Sequence, residues 1–225
     1  MTGFFVTGTD TAVGKTAISL ALIEKYKRQN KRVIGFKPVA SGAHTTPQGL
    51  RNDDACRLQS ASNVIVDYHD INPYCFSPAI APHLAAHAVG EKIELETIVT
   101  AYRNLENKAD VVIVEGAGGW CVPLNDELDI AMLAQRLALP VVLVVAVRLG
   151  CLNHALLTAR DITACGVSLA GWIANFVDAA DEVALANVDS LKKRIAAPCW
   201  GVVPHLDDHA QVAAHLNPPS MSSAL

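Results

Sequence analysis

The sequence predicts an α/β fold: a mainly parallel sheet with helices on both faces. Three observations point to it. Strand-like and helix-like stretches alternate along the 225 residues. The strand-like stretches are continuously apolar, as strands buried on both faces are. No Pro-, Gly- or Ser-rich linker divides the chain, so one domain is expected over residues 1–225.

The elements follow in order. "FFVT" (4–7) reads as a buried strand, and residues 15–29 carry apolar positions at helical spacing with basic residues toward the end. "RVIGF" (32–36) is a second strand. "NDDACRLQS" opens a helix, with Asn52 as its N-cap and Asp53 and Asp54 in the first turn. Residues 71–82 hold three prolines and no period, which predicts a loop. "LETIVTAYRNLEN" is helical, and "DVVIVEG" (110–116) is a strand running into a glycine-rich turn. "PVVLVVAV" (140–147) is a strand. "NHALLTARDITACG" is a helix stopped by Gly166. "LAGWIAN" (169–175) is a strand, 181–194 a helix and "CWGVVP" (199–204) a last strand. The tail over 217–225 is expected to be loose.

Composition narrows the function classes. Hydrophobic residues make up 51% of the chain and charged residues 18%, which suits a large core and excludes disorder. The net charge of -4 is spread along the chain. A nucleic-acid surface would need a basic patch. No basic leader precedes the first strand, and no apolar run approaches bilayer length, so a soluble cytoplasmic protein is expected. Cys56, Cys75, Cys121, Cys151, Cys165 and Cys199 are scattered without a C-x-x-C pair. That predicts buried free thiols rather than disulfides or zinc. His83 and His87 stand four apart but lack the glutamate of a zinc helix, so a helix-surface pair is expected.

The chemistry starts at "TGTDTAVGKT" (7–16). It lies between the first strand and the first helix and ends like the nucleotide-binding pattern G-x-x-x-x-G-K-[ST]. In that setting backbone N–H groups converge on phosphate and the helix N-terminus adds its positive end. Lys15 would reach the β and γ phosphates, and the Thr16 hydroxyl would bind Mg²⁺. Five residues rather than four separate Gly8 from Gly14. One extra residue lengthens a loop by about 3.3 Å, enough to bow it toward a second substrate.

Other strand ends add to this. "VVIVEGAGG" supplies Glu115, a carboxylate for magnesium, followed by glycines that permit close approach to a ligand. Asp53 and Asp54 lie in the helix start "NDDA", where local sequence leaves helix capping and metal binding both open. In "FKPVASG" (36–42), Lys37 ends a strand at the edge where parallel sheets bind ligands. Local sequence leaves two readings open: a surface lysine, or a second cation for a site holding more negative charge than ATP alone. Ser41 and Gly42 could add donors. From the residues alone the expectation is an ATP-binding protein with Mg²⁺ and an anionic second substrate.

The motifs taken together are more specific. "FVTGTDTAVGKT", "KPVASG", "TPQGLRNDDA", "VEGAGGW", "LGCLNHALLTAR", "GWIAN" and a late "VP" occur in order over about residues 4–206. They resemble dethiobiotin synthetase, a P-loop family in which a lengthened loop is usual. The resemblance implies a homodimer with a seven-stranded parallel sheet and the reaction of 7,8-diaminopelargonate, CO₂ and MgATP to dethiobiotin, ADP and phosphate. It implies Thr16, Asp54 and Glu115 as magnesium ligands, and Lys37, Lys15, Thr11 and Ser41 as residues acting on the reacting groups. Ala12, Val13, Gly14, Ala17, Gly116, Ala117 and Gly118 would surround the nucleotide phosphates, with Gly118 also touching substrate. Asn175, Phe176, Pro204, His205, Leu206 and Gln211 would border the adenosine. Gly150, Cys151, Leu152 and Asn153 would receive the tail carboxylate of substrate from the partner subunit, at a helix N-terminus. Two positions depart from the family pattern: Ala12 and Gln211 stand where acidic residues are common. Partitioning-type ATPases carry a lysine where this chain has Asp10, which argues against that class. The alternative kept open is a noncatalytic nucleotide- or metabolite-sensing paralogue.

Overall fold

A computed structural model of the protein describes residues 3–179, 182–206 and 209–220. The chain runs β1 (Gly3–Gly8), α1 (Lys15–Lys27), β2 (Val33–Phe36), β3 (Val39–Ala40), β4 (His44–Thr46), β5 (Gly49–Arg51), α2 (Asp53–Ala61), α3 (Tyr68–Ile71) and β6 (Tyr74–Cys75). It continues through α4 (Pro82–Ala88), α5 (Leu95–Glu106), β7 (Val111–Glu115), α6 (Ile130–Leu137), β8 (Val141–Ala146), α7 (Cys151–Ala164), β9 (Leu169–Asn175), α8 (Glu182–Lys192) and β10 (Cys199–Val203). A 3₁₀ helix over His209–His215 follows.

The central sheet is parallel, in the order β10-β9-β8-β1-β7-β2. It has six strands among the described residues, not seven. The chain leaves the sheet after Phe36. There the Lys37 N–H bonds to the Ile71 carbonyl at 2.8 Å, and β3 pairs instead with β6 in a separate two-stranded sheet. The stretch 71–82, expected to be loop, therefore contains β6 and the first residue of α4, with Pro82 at the first helical position.

The continuous apolar runs are explained by two cores. Phe5, Ile34, Phe36, Val112, Val114 and Leu143 face one cluster, built with α5, α6 and α7. Phe4, Val6, Val33, Ile113, Val142 and Val144 face the other, built on α1 and Leu58 of α2. Alternate residues of a strand point to opposite faces. Glu115 thus continues the Val111–Ile113 row toward α1, and Lys37 continues the Val33–Gly35 row. This alternation aims two charged strand ends at one place.

Other expectations meet mixed outcomes. Gly166 follows α7 with φ 75°, as a helix stop should. Asn52 caps α2, accepting from the Ala55 N–H at 3.2 Å. Of the six cysteines, all free, only Cys151 is buried; Cys121 is exposed and the rest are half-buried, because they lie on helix flanks and sheet margins. The expected loose tail is held over its first part. The Asn217 N–H bonds to the Trp200 carbonyl at 2.6 Å, and the Tyr26 hydroxyl donates to the Pro219 carbonyl at 3.2 Å. Residues 221–225 lie outside the described residues. No described helix is long and apolar enough to cross a membrane.

Candidate active site

Because every strand of the main sheet runs the same way, their carboxyl ends share one edge. Gly8, Phe36, Glu115, Ala146, Asn175 and Val203 end there. A cavity of about 710 Å³ opens at this edge. Thr11, Ala12, Gly14, Lys15, Thr16 and Ala17 line one side of it. Lys37, Ser41, Asp54, Glu115, Ala117 and Gly118 line the rest, with Arg57 and an apolar wall that includes Ile80 and Val122.

The loop between β1 and α1 has the geometry a phosphate needs. Gly14 is in the left-handed region at φ 93° and caps α1, whose first free N–H groups then face the cavity. A side chain at Gly14 would also collide with the Asn175 amide. Asn175 donates to the Val13 carbonyl at 2.9 Å and so braces the loop from β9. Ala12 is left-handed as well, at φ 57°, a conformation costing a non-glycine residue roughly 1–2 kcal/mol. Asp10 anchors the other end of the loop. Its carboxylate accepts from the Thr11 N–H at 2.7 Å and from Arg148 at 2.7 Å.

Two lysines and two carboxylates meet across the cavity. Glu115 is fully buried. Its Oε1 accepts from the Lys37 ammonium at 2.6 Å and from the Thr16 hydroxyl at 2.9 Å. Asp54 Oδ2 lies 3.5 Å from the same ammonium. Burial pulls Lys37 down, but Glu115 and Asp54 outweigh it and hold its pKa above the ordinary value. Its charge is therefore present through the neutral range and is lost only as pH climbs through that raised value. Lys15 behaves oppositely. Burial, with help from the Lys37 charge, pulls its pKa down to about 8. Its ammonium rests on the Asp10 carbonyl at 2.9 Å, a neutral partner that a phosphate would outcompete.

One chain supplies all of these groups, and its relatives are consistent with them. A family model described as an AAA domain matches residues 2–213. The ATP-dependent dethiobiotin synthetase of Xanthomonas oryzae pv. oryzae (strain PXO99A) is 51% identical over 211 residues, 94% of each chain. The enzyme of that name from Pseudomonas aeruginosa (strain UCBPP-PA14) is 49% identical over 220 residues, 96% of each chain. The chain belongs to the dethiobiotin synthetase family. Among solved structures, the MinD cell division protein of Aquifex aeolicus matches with a TM-score of 0.58 at 13% identity, over 95% of this chain and 86% of that one. The signal recognition particle receptor FtsY from Elizabethkingia anophelis matches at 0.53 and 15% identity, over 94% of this chain and 61% of that one. These two likenesses concern the P-loop fold alone.

Not every residue the dethiobiotin synthetase resemblance nominates reaches the cavity. Phe176 has its ring in the core, and its N–H bonds to the Val203 carbonyl at 2.9 Å. Its ring is therefore turned away from the cavity. Pro204, His205 and Leu206 follow β10 on the sheet edge, and Gln211 is exposed on the 3₁₀ helix. Gly116 offers its carbonyl to Lys37 at 3.4 Å. Gly150, Cys151, Leu152 and Asn153 begin α7 on the same edge of the sheet but do not line this chain's cavity. Arg57 and Asn72 carried no signal in the sequence. Asn72 is fully buried and donates to the Lys37 carbonyl at 2.7 Å. Its "INPYCF" context reads only as a loop.

Proposed function

We propose that the chain is a working dethiobiotin synthetase of the cytoplasm. It joins 7,8-diaminopelargonate and CO₂ at the expense of MgATP, giving dethiobiotin, ADP and phosphate. The names of its relatives support this. The observation that carries it is the meeting of a second buried lysine, Lys37, with the P-loop at one cavity.

One substrate amine adds to CO₂ and loses a proton, forming a carbamate. A carbamate oxygen attacks the γ-phosphorus and ADP leaves. The second amine attacks the carbamoyl carbon, phosphate departs from that carbon, the amine loses a proton, and the cyclic urea closes. No covalent enzyme intermediate is needed, so positioning and charge stabilisation carry the rate. Backbone N–H groups over residues 12–17 cradle the phosphates, and Lys15 leaves the Asp10 carbonyl for the transferring group. Lys37 offers its charge to carbamate and phosphoryl group together. Thr11 and the Ser41 hydroxyl, which is buried without a hydrogen-bond partner, hold the diamine. Asn175, the Phe176 backbone, Pro204, His205, Leu206 and Gln211 border the adenosine.

The donors also suit magnesium. Glu115 Oε2 is buried without a hydrogen-bond partner, an uncompensated oxygen that a hard cation would satisfy. Thr16, Asp54 and Glu115 would hold Mg²⁺, which supplies charge neutralisation at the phosphates when bound.

The start of α7 lies outside this chain's cavity, and Leu149 beside it is fully exposed. Both suit a homodimer in which Gly150 to Asn153 serve the partner's substrate. Labelled bicarbonate, MgATP and diaminopelargonate test the reading. Label should appear in dethiobiotin. A noncatalytic sensing protein would bind MgATP and transfer no label.

Ala12 gives a finer prediction. Glutamate at this exposed position meets the same left-handed backbone cost as alanine, so Ala12→Glu should fold unchanged. If the loop faces the diamine, its KM should fall severalfold with KM for MgATP unaltered. An unchanged diamine KM would show that other groups orient the substrate.

A further inference from the structure

The wall of the cavity opposite the P-loop is tied together by three buried side chains, of which Asn52 lines the cavity and Asn72 and Tyr68 stand behind it. Asn72 donates from Nδ2 to the carbonyls of Lys37 at 2.7 Å and Tyr74 at 3.0 Å. Its Oδ1 accepts from the Tyr68 hydroxyl at 2.9 Å. The Tyr68 oxygen in turn accepts from the Asn52 N–H at 2.8 Å. Asn52 then divides: Oδ1 caps the Ala55 N–H at 3.2 Å, and Nδ2 donates to the Ser41 carbonyl at 3.2 Å. Asn72 is fully buried and Asn52 nearly so. The Arg51 guanidinium stands 4.1 Å over the Tyr68 ring and holds it in place.

We infer that Asn72, Tyr68 and Asn52 form a positioning relay, which fixes Lys37, Ser41 and the start of α2 bearing Asp54 as one unit, independently of the P-loop. The inference rests on the dethiobiotin synthetase reading for its catalytic consequence. Asn72 uses both amide hydrogens and its carbonyl oxygen at once. Neither aspartate, which has no donor when ionised, nor serine, which has one, can do so. Burial pushes the Tyr68 phenol above its usual range, so it stays a donor. A relay matters here because misplacing a reacting group by about 1 Å can cost roughly a hundredfold in rate. Without it, Lys37 would keep its ion pairs, its contact with the Gly116 carbonyl and its backbone bond to Ile71.

Tyr68→Phe removes one oxygen and tests the relay. Hydrogen exchange should quicken together over 37–42 and 52–57 and stay unchanged over 11–17. The kcat should fall about ten- to a hundredfold, with KM for MgATP within about twofold. That loss should shrink when Lys37→Gln is already present, because both act through one group. Asn52→Asp is the second variant. It keeps an oxygen to cap α2 but sets a charged acceptor where the Ser41 carbonyl had a donor. Exchange should rise at 41–43 alone, and kcat/KM for the diamine should fall. Exchange unchanged at 37–42 in Tyr68→Phe, or raised equally in the P-loop, overturns the relay. So does a kcat loss that multiplies independently with that of Lys37→Gln. The exchange pattern does not require turnover. An unmodified chain that makes no dethiobiotin would overturn the functional reading, while the exchange data still decide the relay.

Discussion

Lys37→Gln is expected to lower kcat by about 10³-fold while KM for MgATP changes by no more than about threefold. The reason is placement. Lys37 is almost fully buried, and its ammonium is fixed by Glu115 at 2.6 Å and Asp54 at 3.5 Å. An oriented cation in a site that excludes water stabilises charge as it develops, with no reorganisation at the moment of reaction. Glutamine keeps the length of the arm but not the charge. The P-loop, braced separately by Asn175 and Asp10, keeps its hold on phosphate. Steady-state kinetics against each substrate would check this. An equal loss of MgATP affinity would assign Lys37 to nucleotide binding instead.

Glu115→Gln should lower kcat too, but with a loss of MgATP binding that Lys37→Gln lacks. Here KM for MgATP rises at least about tenfold along with a kcat loss of about 10²-fold. Glu115 is the common partner of Thr16 and Lys37, and it carries the one proposed magnesium oxygen that is buried and unsatisfied. Its loss leaves Lys37 buried with only the half-exposed Asp54 as counter-charge. Breaking a buried pair by removing one partner typically costs about 3–5 kcal/mol. At roughly 2–4 °C per kcal/mol for a chain of this size, Tm should fall by about 6–20 °C. Calorimetry and a magnesium titration of the rate would separate the two effects. A variant with unchanged Tm and unchanged magnesium dependence would remove Glu115 from both roles.

The two variants also mark which parts of the site were legible in the sequence. Gly14, Lys15 and Thr16 were, because a phosphate loop is written in consecutive residues between a strand and a helix. Glu115 and Lys37 were legible as strand ends, and period two then placed both on the α1 face. Their mutual ion pair was not, since nothing local says that β2 and β7 are neighbours in the sheet. Asn72 escaped for the same reason: its partner Lys37 is 35 residues earlier in the chain. The helix α6, which Asp129 caps through the Met132 N–H at 2.8 Å, has no counterpart among the expected elements. Its buried residues Ile130, Leu133, Ala134 and Leu137 do keep helical spacing, but over only eight residues and with the exposed Met132 blurring the apolar face. The count of strands in the main sheet came from the family resemblance alone. It failed where Lys37 turns the chain away to pair with the 71–76 stretch.

A synthetase must couple phosphate release to ring closure, and this coupling is measurable. The unmodified chain would be given MgATP and labelled bicarbonate, with and without diaminopelargonate. Phosphate should be released only with the diamine, at one phosphate for each labelled dethiobiotin formed. Release that ignores the diamine, or that runs without label entering product, would contradict the dethiobiotin synthetase reading.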